Sequence, residues 1–64
     1  MIIVNGKSIE EAGHTAETLL SLLGFKKEYV VIEYNGAILP RADYDSVTLQ
    51  NGDVLEIVTF VGGG

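Results

Sequence analysis

The dipeptide Asn-Gly occurs three times, and at Asn5-Gly6 and Asn35-Gly36 it stands between runs of strand-forming residues. Asn-Gly tolerates positive φ at both central positions of a type I′ turn, and with strand residues on either side it is the strongest short hairpin signal a sequence carries. One hairpin is therefore predicted from strands at about residues 1–5 and 7–11. A second is predicted from Tyr29–Tyr34, dense in β-branched and aromatic residues, returning through Ala37–Leu39. Pro40 has no N–H for a ladder, so the returning strand ends there or lies at an edge. Ile2 and Val4 are expected to face the core and Ile3 the other side, although the unbroken apolar run offers little alternation to support it.

Between the hairpins the period changes from two to that of a helix. Ala16, Leu19, Leu20 and Leu23 recur at helical spacing and make one apolar stripe, which Leu22 widens. Thr15 is a suitable N-cap, Glu17 sits where the helix dipole favours an anion, and Gly24 is the expected left-handed residue after the last turn. A helix over roughly 15–23 is too short to stand alone and needs a sheet to pack on. After the second hairpin, Arg41–Ser46 reads as a polar turn or single helical turn around Tyr44. Val47–Leu49 is at most a short edge strand. Asn51-Gly52-Asp53 then turns into the last and longest strand, 54–61.

Leu55, Ile57 and Thr59 alternate in that strand with Val54, Glu56, Val58 and Phe60. Burying Glu56 unpaired is costly, so its set is assigned to the open face, leaving Val58 and Phe60 as exposed apolar groups. Two hairpin signals, one helix and a long final strand make an α+β domain with one sheet face covered. The other face meets solvent or a partner.

Sixty-four residues supply one core and no more. There is no cysteine and a single histidine, so neither disulfides nor a zinc site staples the fold. A hydrophobic content of 47% makes packing alone sufficient. Nine acidic against four basic residues, a net charge of −5, argue against nucleic acid and permit a basic protein partner. No stretch has the length of a membrane span and the first residues lack a signal-peptide layout, so a cytoplasmic protein away from membranes is expected.

No catalytic residue and no metal ligand set emerges. His14 lies in a glycine-containing connector, and no motif brings Ser8 or Ser46 to it as a nucleophile. The carboxylates fit no ligand spacing, and the glycines lie in turns and at the end of the chain rather than between a strand and a helix, which excludes a phosphate cradle.

The chain ends Phe60-Val61-Gly62-Gly63-Gly64. Glycines have no side chain to pack and lose most on ordering, so residues 61–64 are expected to be a flexible tail tipped by a free carboxylate. Small residues also collect at fraying termini, and the tail by itself does not decide between the two readings. Without Cβ atoms such a tail can thread a narrow channel and leave its terminal carbonyl open to in-line attack. A carboxylate is a poor electrophile; adenylation makes it a mixed anhydride that sulfur or an amine can attack.

The combination of Val4-Asn5-Gly6-Lys7, the helix Leu19–Gly24, Val31–Gly36, Ile38-Leu39-Pro40-Arg41, Leu49–Asp53, Glu56-Ile57-Val58 and the end Phe60–Gly64 resembles the ThiS-type sulfur carriers of thiamine biosynthesis across the whole chain. The resemblance implies a ubiquitin-like β-grasp fold over residues 1–64, a mixed sheet of four or five strands with the last beside the first and one helix across one face. It implies that Gly64, with Gly63, is the sulfur-carrying end. A ThiF-type enzyme would adenylate Gly64 with ATP, sulfur would come from a cysteine desulfurase, and the thiocarboxylate would serve a ThiG-type thiazole synthase. The carrier itself would hold no cofactor. Gly62, Val61 and Phe60 would form the lead-in, and the alternation above adds Val58 to a docking surface. The small subunit of molybdopterin synthase, another sulfur-carrier pathway, a ubiquitin-like protein modifier and an inert β-grasp interaction module are the competing readings.

Overall fold

In the computed structural model, which describes residues 1–60, the two hairpin Asn-Gly turns adopt positive φ at both positions, 51° and 81° at Asn5-Gly6 and 49° and 89° at Asn35-Gly36, whereas at Asn51-Gly52 only the glycine does, at 93°. The first joins β1 (Ile2–Val4) to β2 (Lys7–Ile9); the second joins β3 (Val30–Tyr34) to β4 (Ala37–Leu39). β5 (Val54–Thr59) inserts between the hairpins, parallel to β1 and antiparallel to β3. The sheet therefore has five strands in the order β2-β1-β5-β3-β4, with α1 (Ala16–Leu23) across one face. This is the mixed α+β, β-grasp arrangement, with the last strand beside the first.

Helix α1 starts and stops as its sequence directs. The Thr18 N–H donates to Thr15 Oγ1 at 3.1 Å, and Gly24 closes the helix at φ 84°. Ile2, Val4, Val30, Ile32, Leu55 and Ile57 present one sheet face to Ala16, Leu19 and Leu20. The inward assignments of Ile2, Val4, Leu55 and Ile57 hold, because a period-two strand packed on one side has one admissible register.

The apolar stripe is narrower than predicted. Leu22 and Leu23 are 56% and 40% exposed. The left-handed cap turns the chain back so that the Phe25 N–H donates to the Leu20 carbonyl at 2.9 Å, and Phe25 packs against the core where the stripe would have continued. Thr59, expected inward, is exposed at the end of the sheet, paired with Val30.

The segment after β4 also differs from expectation. Residues 47–49 form no strand; Thr48 makes one isolated bridge to Thr15. The segment crosses the start of the helix instead, where the Val47 and Tyr44 carbonyls accept from the Ala16 and Glu17 N–H groups at 3.1 and 2.8 Å. Those donors have no partner inside a helix, so the crossing satisfies them. It also carries Tyr44, 2% exposed, and Leu49 into the core. Strand ends are shorter than predicted as well. β1 stops before the left-handed Asn5, and β5 ends at Thr59, although the Phe60 N–H still donates to the Tyr29 carbonyl at 3.0 Å.

The open sheet face and the strand that leads to the C-terminus

β5 is the central strand, and it is held on both sides by the asparagines of the two turns. Where β1 ends, the Asn5 N–H donates to the Leu55 carbonyl at 2.9 Å. Its side-chain amide then takes over the ladder, accepting from the Ile57 N–H at 2.7 Å and donating to the Ile57 carbonyl at 3.3 Å. From the β3 side, Asn35 does the same at the start of β5. Its backbone N–H donates to the Val54 carbonyl and its Oδ1 accepts from the Val54 N–H, both at 2.8 Å.

Asp53 completes the anchor. Its carboxylate accepts from the Gln50 N–H at 2.9 Å, the Tyr34 hydroxyl at 2.8 Å and Asn35 Nδ2 at 3.1 Å. Burial works against its ionisation, but these hydrogen bonds outweigh it and hold the carboxyl below its usual range. The same contact from Asp53, with burial and the Asp53 charge, pushes the Tyr34 phenol up. The strand that runs into the C-terminal glycines is thus fixed at its start and its middle.

The face of β5 turned away from the helix carries Val54, Glu56 and Val58, all exposed. The alternation read from the sequence is realised here. Val58 is 58% exposed and Phe60 53%. Register adds residues the strand pattern alone did not reveal. Val31 lies opposite Val58, Glu33 opposite Glu56, and Ile38 opposite Glu33. Together these side chains line a shallow depression of about 410 Å³. β3 and β4 read VVIEY and AIL, near-continuous apolar runs that do not alternate, so only the strand order and register join these residues to β5. Val61, Gly62, Gly63 and Gly64 lie outside the described residues.

Elsewhere the chemistry is sparse. His14 Nε2 lies 3.1 Å from Glu11 on the connector before the helix, and neither Ser8 nor Ser46 is bonded to it. Among the described residues no group of three or more His, Cys, Asp or Glu side chains could hold a metal ion, and no helix is long and apolar enough to cross a membrane. The helix N-terminus, whose first donors are taken by Val47, Tyr44 and Thr15, has no N–H groups left to cradle a phosphate.

Comparison with known proteins places this geometry. The chain is 37% identical to the sulfur carrier protein ThiS of Bacillus subtilis over 67 aligned positions, covering 100% of both. It is 50% identical over 54 residues to the thiazole synthase of Magnetococcus marinus, matching 84% of this chain but spanning 17% of that protein's length. The crystal structure of the thiamine biosynthesis protein ThiS from Geobacter metallireducens superposes with a TM-score of 0.78 at 37% identity, covering 98% of this chain and 97% of the other. The match to the ThiS family runs from residue 2 to residue 64, taking in the anchored strand, its open face and the terminal glycines, and the chain belongs to that family.

Proposed function

We propose that this protein is a sulfur carrier of thiamine biosynthesis, with Gly64 as the reacting residue and Gly63 beside it. The observation that carries this reading is the family match, which continues without interruption through the final glycine. In the proposed sequence a ThiF-type enzyme transfers AMP from ATP to the Gly64 carboxylate and releases pyrophosphate. The terminal sulfur of a persulfide drawn from a cysteine desulfurase then adds to the activated carbonyl and expels AMP, and a thiol reduces the S–S bond of the resulting acyl disulfide, becoming a disulfide itself and leaving a terminal thiocarboxylate. A ThiG-type thiazole synthase takes the sulfur, a partner supported by the likeness of this chain to part of the Magnetococcus enzyme.

The chain acts as a co-substrate in the cytoplasm, contributing no catalytic group and holding no cofactor. Its own residues position the reacting end. Asn5, Asn35 and Asp53 anchor β5, while Val58 and Phe60, with Val61 and Gly62 as lead-in, face the enzyme that receives the tail.

Intact mass of the untagged protein from its own cells tests this. The expected result is a species heavier by one oxygen-to-sulfur exchange, localised to Gly64. A carboxylate that stays unmodified after incubation with ATP, the activating enzyme and a sulfur donor overturns it. Recovery of Gly64 in amide linkage to other proteins would identify a modifier instead.

A further inference from the structure

Three asparagines in this chain precede a glycine, and the fold holds them differently. All three are exposed, so access does not separate them; hydrogen bonding does. The Asn5 amide is bonded at both ends to the Ile57 backbone, at 2.7 and 3.3 Å. The Asn35 amide is also bonded at both ends, its Oδ1 accepting from the Val54 N–H at 2.8 Å and its Nδ2 donating to Asp53 at 3.1 Å. Asn51 stands in the turn before β5, and among the described residues its amide is bonded through Oδ1 alone, to the Met1 nitrogen. The Gly52 N–H donates to the Met1 carbonyl at 2.9 Å. Met1 lies outside β1 and is 54% exposed. One residue at the margin of the sheet thus restrains both the Asn51 side chain and the backbone nitrogen that follows it.

We propose that Asn51-Gly52 is a modification site, at which the folded chain converts asparagine to an isoaspartyl residue while Asn5 and Asn35 persist. The Gly52 nitrogen attacks Asn51 Cγ and gives its proton to solvent. The side-chain amide nitrogen takes up a proton and leaves as ammonia, closing a succinimide ring. Water then adds to a ring carbonyl and opens the ring. Cleavage at the backbone carbonyl routes the chain through Cγ as isoaspartate; cleavage at Cγ gives aspartate. No oxidant or reductant takes part. Glycine favours the attack, because without a Cβ its nitrogen can close on the neighbouring side chain. At Asn5 and Asn35 the same approach first breaks two hydrogen bonds and leaves a β5 N–H unpaired. At Asn51 a displacement of Met1 frees electrophile and nucleophile together. The isoaspartyl product adds a methylene to the backbone of a turn in which the Asp53 N–H donates to the Gln50 carbonyl at 3.0 Å and the Gln50 N–H donates to the Asp53 carboxylate at 2.9 Å. Conversion therefore loosens the carboxylate that anchors the start of β5.

The intact protein, held folded and in urea in mildly alkaline buffer, tests this. Peptide mapping with electron-transfer fragmentation follows each site and distinguishes isoaspartate from aspartate. In the folded protein Asn51 is expected to convert at least about tenfold faster than Asn5 or Asn35, a margin that two retained hydrogen bonds supply. In urea the three rates are expected to converge, since the same dipeptide then reacts at each site. Hydrogen exchange is expected to keep the folded order, the Gly52 amide opening more readily than those of Val54 and Ile57. Asn51→Gln, whose longer side chain closes its ring more slowly, is expected to keep the fold and lose the early amide-to-acid mass change. The converted wild type is expected to melt below the unconverted one; an unchanged melting temperature overturns the loosening of Asp53. Equal folded rates at the three sites, an earlier change at Asn5 or Asn35, or an Asn51 as inert as the other two in the folded chain overturns the modification site.

Discussion

The side-chain amide of Asn5 makes two hydrogen bonds to the backbone of Ile57, accepting at 2.7 Å and donating at 3.3 Å, and so extends the β1–β5 ladder past the point where β1 has turned away. One residue both permits the hairpin, at φ 51°, and clamps the strand that carries the C-terminus. The two roles separate by mutation. Asn5→Gly keeps the left-handed conformation and loses the amide, leaving the Ile57 N–H without its partner at a cost of about 1–3 kcal/mol. Asn5→Ala loses both, adding about 1–2 kcal/mol for the backbone. Urea denaturation of the two variants measures the difference; equal stability of Asn5→Gly and wild type would show the clamp to be idle.

The helix stripe makes a second contrast. Leu20, fully buried against the sheet, is expected to cost about 2–5 kcal/mol on truncation to alanine, enough to unfold much of so small a domain. Leu22→Ala, two residues on, is expected to change stability by no more than about 0.5 kcal/mol, because that side chain is mostly in solvent. Chemical denaturation of the pair checks the burial assignment directly.

Acid stability should depend on Asp53. Its folded carboxyl titrates below the unfolded value of 3.8, the charged form being the better hydrogen-bonded one despite burial. The contribution is therefore complete above about pH 4 and disappears as pH falls through the lower folded value. Tyr34 has the opposite sign. Its raised phenol contributes below pH 10 and loses that contribution as pH rises further. Asp53→Asn is expected to lower the urea midpoint at pH 7 more than at pH 3. A constant gap between variant and wild type across that range would remove Asp53 from the acid response.

Loss of Gly63 and Gly64 should separate function from stability. The buried core of the described residues reaches no further than Ile57, so the truncated chain is expected to melt within a degree or two of the intact one, about the scatter of small surface changes. It should form no thiocarboxylate at all. A large drop in melting temperature would mean that the glycines pack.

The exposed end of β5 is expected to matter for binding and not for folding. Val58→Asp or Phe60→Asp should weaken association with the activating enzyme by about tenfold or more, as truncation of a central interface anchor does. Affinity measured by calorimetry at one salt concentration suffices, and an unchanged value for both removes them from the docking surface.

Local chemistry was legible in this chain without its structure. Asn-Gly between two strand-forming runs favours a left-handed hairpin turn, as at Asn5-Gly6 and Asn35-Gly36, Thr15 and Gly24 bound a helix through their own hydrogen bonding and backbone freedom, and alternation divides Ile57 from Val58. These depend on near neighbours, which the sequence states. Long-range pairing lies beyond that reach. That β5 inserts between the hairpins, that Tyr44 descends from a polar loop to cover the helix, and that Phe25 displaces Leu23 from the core all follow from which partners remain free once the sheet has closed. The juxtaposition of Glu33 with Glu56 belongs with them: each is an ordinary exposed glutamate on its own strand, and the β3–β5 register alone makes them a pair.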